Sequence, residues 1–153
     1  MLRVSVRSAD FDIGAELAAL TAGRRDIGGI GSFIGTVRDT AHGRTITQMT
    51  LEHYPGMTER ALAAIGETAI ARFGLLGCTL IHRVGPLLPG ENIVLVLAAA
   101  PHRQAALDGT GFLIDWLKTK APFWKKERFA DGQEAWVDAR DADDEAAAKW
   151  GNG

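Results

Sequence analysis

One cysteine, Cys78, is present in 153 residues. A lone thiol closes no intrachain disulfide and anchors no cysteine-rich zinc site. Its apolar setting, "CTLIH", predicts a small buried hydrophobe rather than a nucleophile. Long apolar runs are also missing: "IVLVLAAA" at 93–100 is far short of the ~20 residues that span a bilayer. The opening "MLRVSVRSADFD" carries charges where a signal peptide has its apolar stretch. These absences predict a reduced, cytoplasmic protein with no membrane role.

Charge of one sign is not in excess. Seventeen Lys and Arg against 19 Asp and Glu leave a net charge of −2, with a pI near 6.1. The chain as a whole therefore has no attraction for nucleic acid, and any anion site must be a local cluster. Catalytic signatures are scarce as well. There is no G-x-S-x-G elbow, no G-x-x-x-x-G-K-[ST] phosphate loop and no H-x-x-x-H pair, and His42, His53, His82 and His102 are scattered. "GGIGSFIG" lacks the dinucleotide-loop spacing and reads as a strand. Neither a metal nor a resident cofactor is expected.

What is present is an ordinary folding composition, 46% hydrophobic and 24% charged. A chain of this length suits one domain over residues 1–153, able to bury about 70% of its unfolded surface. "LRVSVR" alternates as a strand, and Asp12 is placed to cap the helix "IGAELAALTAG". "GGIGSFIGTVRD" and "TITQMTLEHY", linked by the turn-like "TAHGR", predict two adjacent strands. Thr58 is a suitable N-cap for "ERALAAIGETAIARF". "CTLIHRVG" and "NIVLVLAAA" predict a buried strand pair. From Arg103 to about Lys120, Leu107, Gly111, Ile114 and Leu117 mark one helical face, ended by Pro122. "FWKKERF" and "QEAWVDA" flank Asp131-Gly132, a hairpin signal, and the acidic close of the chain is a short helix or a tail frayed from about residue 141. This order predicts an α+β fold on mixed or antiparallel sheet with about three helices.

The strongest local anomaly is "WLKTKAPFWKKE" at 116–127. Lys118, Lys120, Lys125, Lys126 and Arg128 against Asp115 and Glu127 leave a surplus of positive charge suited to a phosphate-bearing small molecule. A helix C-terminus favours cations in any case, by ~0.3–1 kcal/mol, and lysine stems ordinarily lie along the surface with the ammonium in water. Two weaker basic groups accompany the cluster: His102-Arg103 at the end of a buried strand, and Arg38 after the glycine of "FIGTVR". Along one unbroken helix, Arg103 and Lys118 lie roughly 22 Å apart. Either that helix breaks at Gly109 or Gly111, or the two groups meet across a symmetric dimer, the arrangement we favour.

In order and interval, "FIGTVR", "LEHYPGMTE", "IHRVG", "PHR" and "LKTKAPFWKKE" resemble the MoaE family, the large, catalytic subunits of molybdopterin synthase, from about Phe33 to Arg140. The resemblance implies an α/β-hammerhead-like fold. It also implies conversion of cyclic pyranopterin monophosphate to molybdopterin by installing two dithiolene sulfurs, in molybdenum cofactor biosynthesis. The sulfur would come as a thiocarboxylate on the C-terminal Gly-Gly of a small ubiquitin-like subunit, with a homodimer at the core of a heterotetramer. By motif, Lys118 and Lys125 match the catalytic lysines. Thr36, Val37, Arg38, His102, Arg103, Lys126 and Glu127 match substrate-pocket positions, as do Phe33 and Arg140. "DTAHGRTI" carries no family pattern. Two other classes fit the residues alone: a non-catalytic module binding a phosphorylated metabolite or a partner tail, and an RNA-binding domain stacking bases on Trp116, Phe123 and Trp124. Net charge and helical spacing weigh against the RNA reading.

Overall fold

The computed structural model describes residues 1–137 and 141–151. In chain order the elements are β1 (Leu2–Arg7), α1 (Ile13–Thr21), β2 (Gly29–Thr36), β3 (Thr40–Ala41), β4 (Arg44–His53), α2 (Met57–Phe73), β5 (Gly77–Arg83), β6 (Gly85–Leu87), β7 (Asn92–Ala100), α3 (Arg103–Lys120), β8 (Phe123–Phe129), β9 (Glu134–Trp136) and α4 (Asp141–Ala148). The first sheet runs β1-β5-β7-β2. β1 and β5 are parallel and the other pairs antiparallel. In the second sheet β4 pairs antiparallel with β3, β6 and β8, and β8 with β9. The expected α+β class with mixed sheet is observed, and the acidic C-terminal segment forms a fourth helix.

The first sheet is covered on both faces, which explains why β5 and β7 are apolar without alternation. Cys78, Leu80, Val94, Val96 and Ala98 turn to one face and pack with Leu62 and Ile65 of α2 and Phe112, Leu113 and Leu117 of α3. Ile81, Leu95, Leu97 and Ala99 turn to the other, under Leu20 of α1. Full burial of each such Leu, Ile or Val side chain stabilises the fold by about 1.5–3 kcal/mol. Asp12 caps α1 as expected, accepting the Ala15 N–H at 3.0 Å.

Three details differ from the sequence reading. β2 and β4 are not adjacent: β2 pairs with β7 until a register shift between Gly35 and Thr36. Such an irregularity bends a strand away from its partner, and buried Val37 and its neighbours carry the chain to the second sheet. The "TAHGR" turn instead joins β3 to β4, with His42 and Gly43 both at positive φ, as a two-residue hairpin turn requires.

The N-cap of α2 is Gly56, whose N–H is accepted by Glu59 at 3.1 Å. Thr58 lies inside the helix, and its hydroxyl bonds elsewhere.

On α3, Leu107 is 61% exposed, and the buried stripe is Ala106, Gly109, Thr110, Leu113 and Leu117 with Phe112. Small residues form half of this face because α3 lies close on β2: a Cβ on Gly31 would sit 2.6 Å from the Ala106 carbonyl oxygen. Weighting only large apolar side chains shifts the face toward Leu107.

Candidate active site

The site is built around one interruption. Pro122 has no N–H to continue α3 and forces its predecessor out of helical geometry, and Ala121 is extended, with ψ 137°. The chain leaves α3 and starts β8 at Phe123. Lys118 stands in the last turn of the helix, and Lys125 is the third residue of the strand. Side chains alternate along β8, so Phe123, Lys125 and Glu127 share a face. Lys118 and Lys125 line one cavity of about 650 Å³, together with Thr36, Arg38, His82, Glu127 and Asp143 over an apolar floor that includes Met49, Ile93 and Leu117.

Two contacts hold the interruption in place. The Thr58 hydroxyl accepts the Tyr54 N–H at 3.0 Å and donates to the Pro122 carbonyl at 3.2 Å. The His82 ring stacks on Phe123 with centroids 3.7 Å apart and planes 18° from parallel. His82 Nδ1 lies 2.8 Å from the Arg83 carbonyl oxygen. That oxygen only accepts, so Nδ1 carries the ring proton and Nε2 keeps its lone pair. Burial pushes the imidazole down to about 3, and nearby Lys118, Lys125 and His53 act in the same direction against the carbonyl bond. His82 is therefore neutral at working pH.

The cavity's charged lining is three cations, Arg38, Lys118 and Lys125, facing the carboxylates of Glu127 and Asp143, among the described residues. Glu127 is buried, whereas Lys118 and Arg38 remain accessible. In a recess with apolar walls, such cations hold an anion more strongly than they would in open water. The same fixed charges stabilise negative charge that develops during a reaction.

Of the residues expected from the sequence, Thr36, Arg38, Lys118, Lys125 and Glu127 come together here. Others stand elsewhere. Val37 is buried in the core. Phe33 is 37% exposed on β2, opposite Val96 of β7. Lys126 points to the other side of β8, with its Nζ 3.7 Å from Glu134 and 5.3 Å from the Trp136 ring centroid. His102 and Arg103 sit exposed at the N-terminus of α3. That helix is continuous through Gly109 and Gly111, which places them roughly 22 Å from Lys118. Arg140 lies outside the described residues. Lys120 is exposed over the Trp116 ring at 5.6 Å.

The sequence reading missed His82, Thr58 and Asp143. His82 carried a signal: it follows Cys78 and Leu80 at alternate positions of a buried strand, which puts a polar ring on a core-facing row. Cys78 itself is buried as expected, with its thiol pushed up to about 12 by burial. Among the described residues, no group of three or more His, Cys, Asp or Glu is arranged to hold a metal ion. No helix there is long and apolar enough to cross a membrane.

Comparison with known proteins addresses the family directly. A family profile described as MoaE protein matches residues 6–120. A molybdopterin synthase catalytic subunit from Ralstonia nicotianae is 54% identical over 151 residues, covering 99% of this chain and 85% of that one. Among solved structures, a molybdopterin biosynthesis MoaE protein from Burkholderia ambifaria superposes with a TM-score of 0.85 at 48% identity, covering 100% of both chains. Molybdopterin synthase from Staphylococcus aureus gives 0.78 at 27% identity, over 87% of this chain and 95% of that one. The profile match over residues 6–120 agrees with sequence and fold matches that run nearly the whole length, and the chain belongs to the MoaE protein family.

Proposed function

We propose that this chain is the large, catalytic subunit of a molybdopterin synthase. It converts cyclic pyranopterin monophosphate to molybdopterin with sulfur carried as a thiocarboxylate on the C-terminal Gly-Gly of a small ubiquitin-like subunit. The observation that carries this reading is the convergence of Lys118 and Lys125, from either side of Pro122, on one cavity that Arg38 also lines. The reaction must bring together two anions, a cyclic phosphate and a thiocarboxylate. Fixed cations lower their repulsion and stabilise the charge that develops. Lys118, beside other cations, serves as the general acid or base during sulfur transfer and release of the partner tail.

The unbroken α3 supports a symmetric dimer. His102 and Arg103 cannot reach the Lys118 cavity of their own chain, so a second copy supplies them, and two small subunits complete a heterotetramer. Sedimentation or light scattering showing a fully active monomer would exclude this arrangement. Residues 1–153 act as one domain, in the cytoplasm.

An assay supplied with the thiocarboxylated small subunit tests the function. Wild type should form molybdopterin and Lys118→Ala should not. Binding without turnover by the wild type would instead favour the module that only holds a phosphorylated metabolite or a partner tail.

A further inference from the structure

The two lysines belong to different elements, and nothing in either element alone fixes the gap between them. α3 sets Lys118 and β8 sets Lys125. The junction between them is the extended Ala121 and Pro122, which no regular backbone ladder braces. Yet Pro122 and the residue after the junction, Phe123, are gripped by side chains from elsewhere. Thr58, in the first turn of α2, donates to the Pro122 carbonyl at 3.2 Å. His82, at the end of β5, stacks on Phe123 at 3.7 Å.

We propose that His82 is a positioning residue for the lysine pair. Its ring, tied to the Arg83 carbonyl and stacked face to face on Phe123, fixes the first residue of β8 and so aims Lys125 into the cavity opposite Lys118, while Thr58 fixes the adjacent Pro122.

The geometry favours this role over a cap or a packing filler. The Nδ1–H bond to the residue's own neighbour fixes the ring without drawing on Phe123. A near-parallel stack at 18° then fixes the plane of the Phe123 ring, not only its depth. Lys125 is two residues further along the same strand and on the same face, and β4 pairs with both positions, so a shift of the β8 backbone at Phe123 moves Lys125 with it. The Thr58 hydroxyl uses both its capacities, accepting from Tyr54 and donating to Pro122. It thereby ties the entry of α2 to the exit of α3. The imidazole stays neutral, so it adds no further cation beside Arg38 and the lysines, and another uncharged aromatic ring can replace it.

The test rests on the synthase reading for turnover, and a second readout is independent of it. His82→Ala removes the stack, and His82→Phe keeps an aromatic face against Phe123. With thiocarboxylated small subunit, His82→Ala is expected to lower kcat by about 10- to 100-fold, as an ångström-scale misplacement does. KM should change by less than about threefold, and His82→Phe should recover most of the loss. Without any substrate, the ¹³C resonances of reductively methylated Lys118 and Lys125 should move in His82→Ala and return in His82→Phe, with Lys149 unchanged in both.

Wild-type kcat and native lysine resonances in His82→Ala would overturn the proposal. So would a His82→Phe variant as impaired as the alanine, which would place the imidazole's own nitrogen in the chemistry. If His82→Ala does not fold, Thr58→Val against Thr58→Ser decides. The valine should show the same lysine shifts and the serine should not, and native resonances in the valine variant would sink the idea. A wild type without turnover would count against the synthase reading, while the resonances still judge this one.

Discussion

Trp150 Nε1 donates to Asp115 Oδ2 at 2.8 Å, which ties the chain just beyond α4 to the body of α3. The indole also meets the rings of Phe73 and Phe112 edge-on, at 5.6 and 5.8 Å, and Lys149 adds a cation 3.9 Å from the same carboxylate. Trp150→Phe should cost about 1 kcal/mol, the worth of one hydrogen bond. Trp150→Ala also empties an aromatic cluster and, with the indole only half-buried, should cost about 3 kcal/mol, the low end for such a truncation. Thermal unfolding followed by circular dichroism checks both, with roughly 2–4 °C expected per kcal/mol.

His82 makes stability depend on pH. Its folded value of about 3 lies below the ordinary 6.5, so the unfolded chain binds the proton first. Full stability is present above about pH 6.5 and is lost progressively as pH falls toward 3, by up to about 1.4 kcal/mol per pH unit from this group. The groups facing it are Lys118 of α3, Lys125 of β8 and His53 of β4. Urea midpoints of wild type and His82→Phe, compared at pH 7 and pH 5, should show a steeper decline for the wild type. Parallel declines would remove His82 as the cause.

Cys78 should be inert in the folded protein. Its thiol is buried and pushed up to about 12, and only the thiolate attacks. Ellman's reagent should label one thiol in denaturant and almost none natively. Rapid native labelling would show that the α2–β5 interface opens readily.

Gly31→Ala tests how closely α3 lies on β2. The added methyl would meet the Thr110 hydroxyl and the Ala106 carbonyl oxygen, and overpacking of this kind typically costs about 1–3 kcal/mol. Because Lys118 rides on α3, turnover should fall along with the melting temperature. An unchanged melting temperature would mean that the helix yields without strain.

Much of this was legible in sequence because the governing physics is local. Pro122 had to end a helix, Asp131-Gly132 had to turn a hairpin, and an apolar run as continuous as residues 93–100 had to be a strand covered on both faces. Less legible was whatever depended on a partner distant in the chain. β2 chose β7 over its sequence neighbour β4, and the face of α3 was set by small residues that matter only because Gly31 lies beneath them. The lysine cluster was visible as charge. Its division into Lys118 and Lys125 inside the cavity and Lys126 outside needed the strand alternation after Pro122. For His82 the alternation with Cys78 and Leu80 marks an unusual position, but its role depends on the Phe123 ring stacked upon it from 41 residues further along the chain.

The uninterrupted run of α3 from Arg103 to Lys120 also makes a genetic prediction. If each pocket of the proposed dimer draws its Lys118 from one copy and its Arg103 from the other, two dead alleles can rescue one another. Mixing Lys118→Ala and Arg103→Ala chains makes hybrids in which one pocket carries both lesions and the other carries neither. Random pairing should then restore about a quarter of wild-type activity. In such a dimer each pocket would be the joint property of two chains, because α3 is too long for one chain to supply both groups.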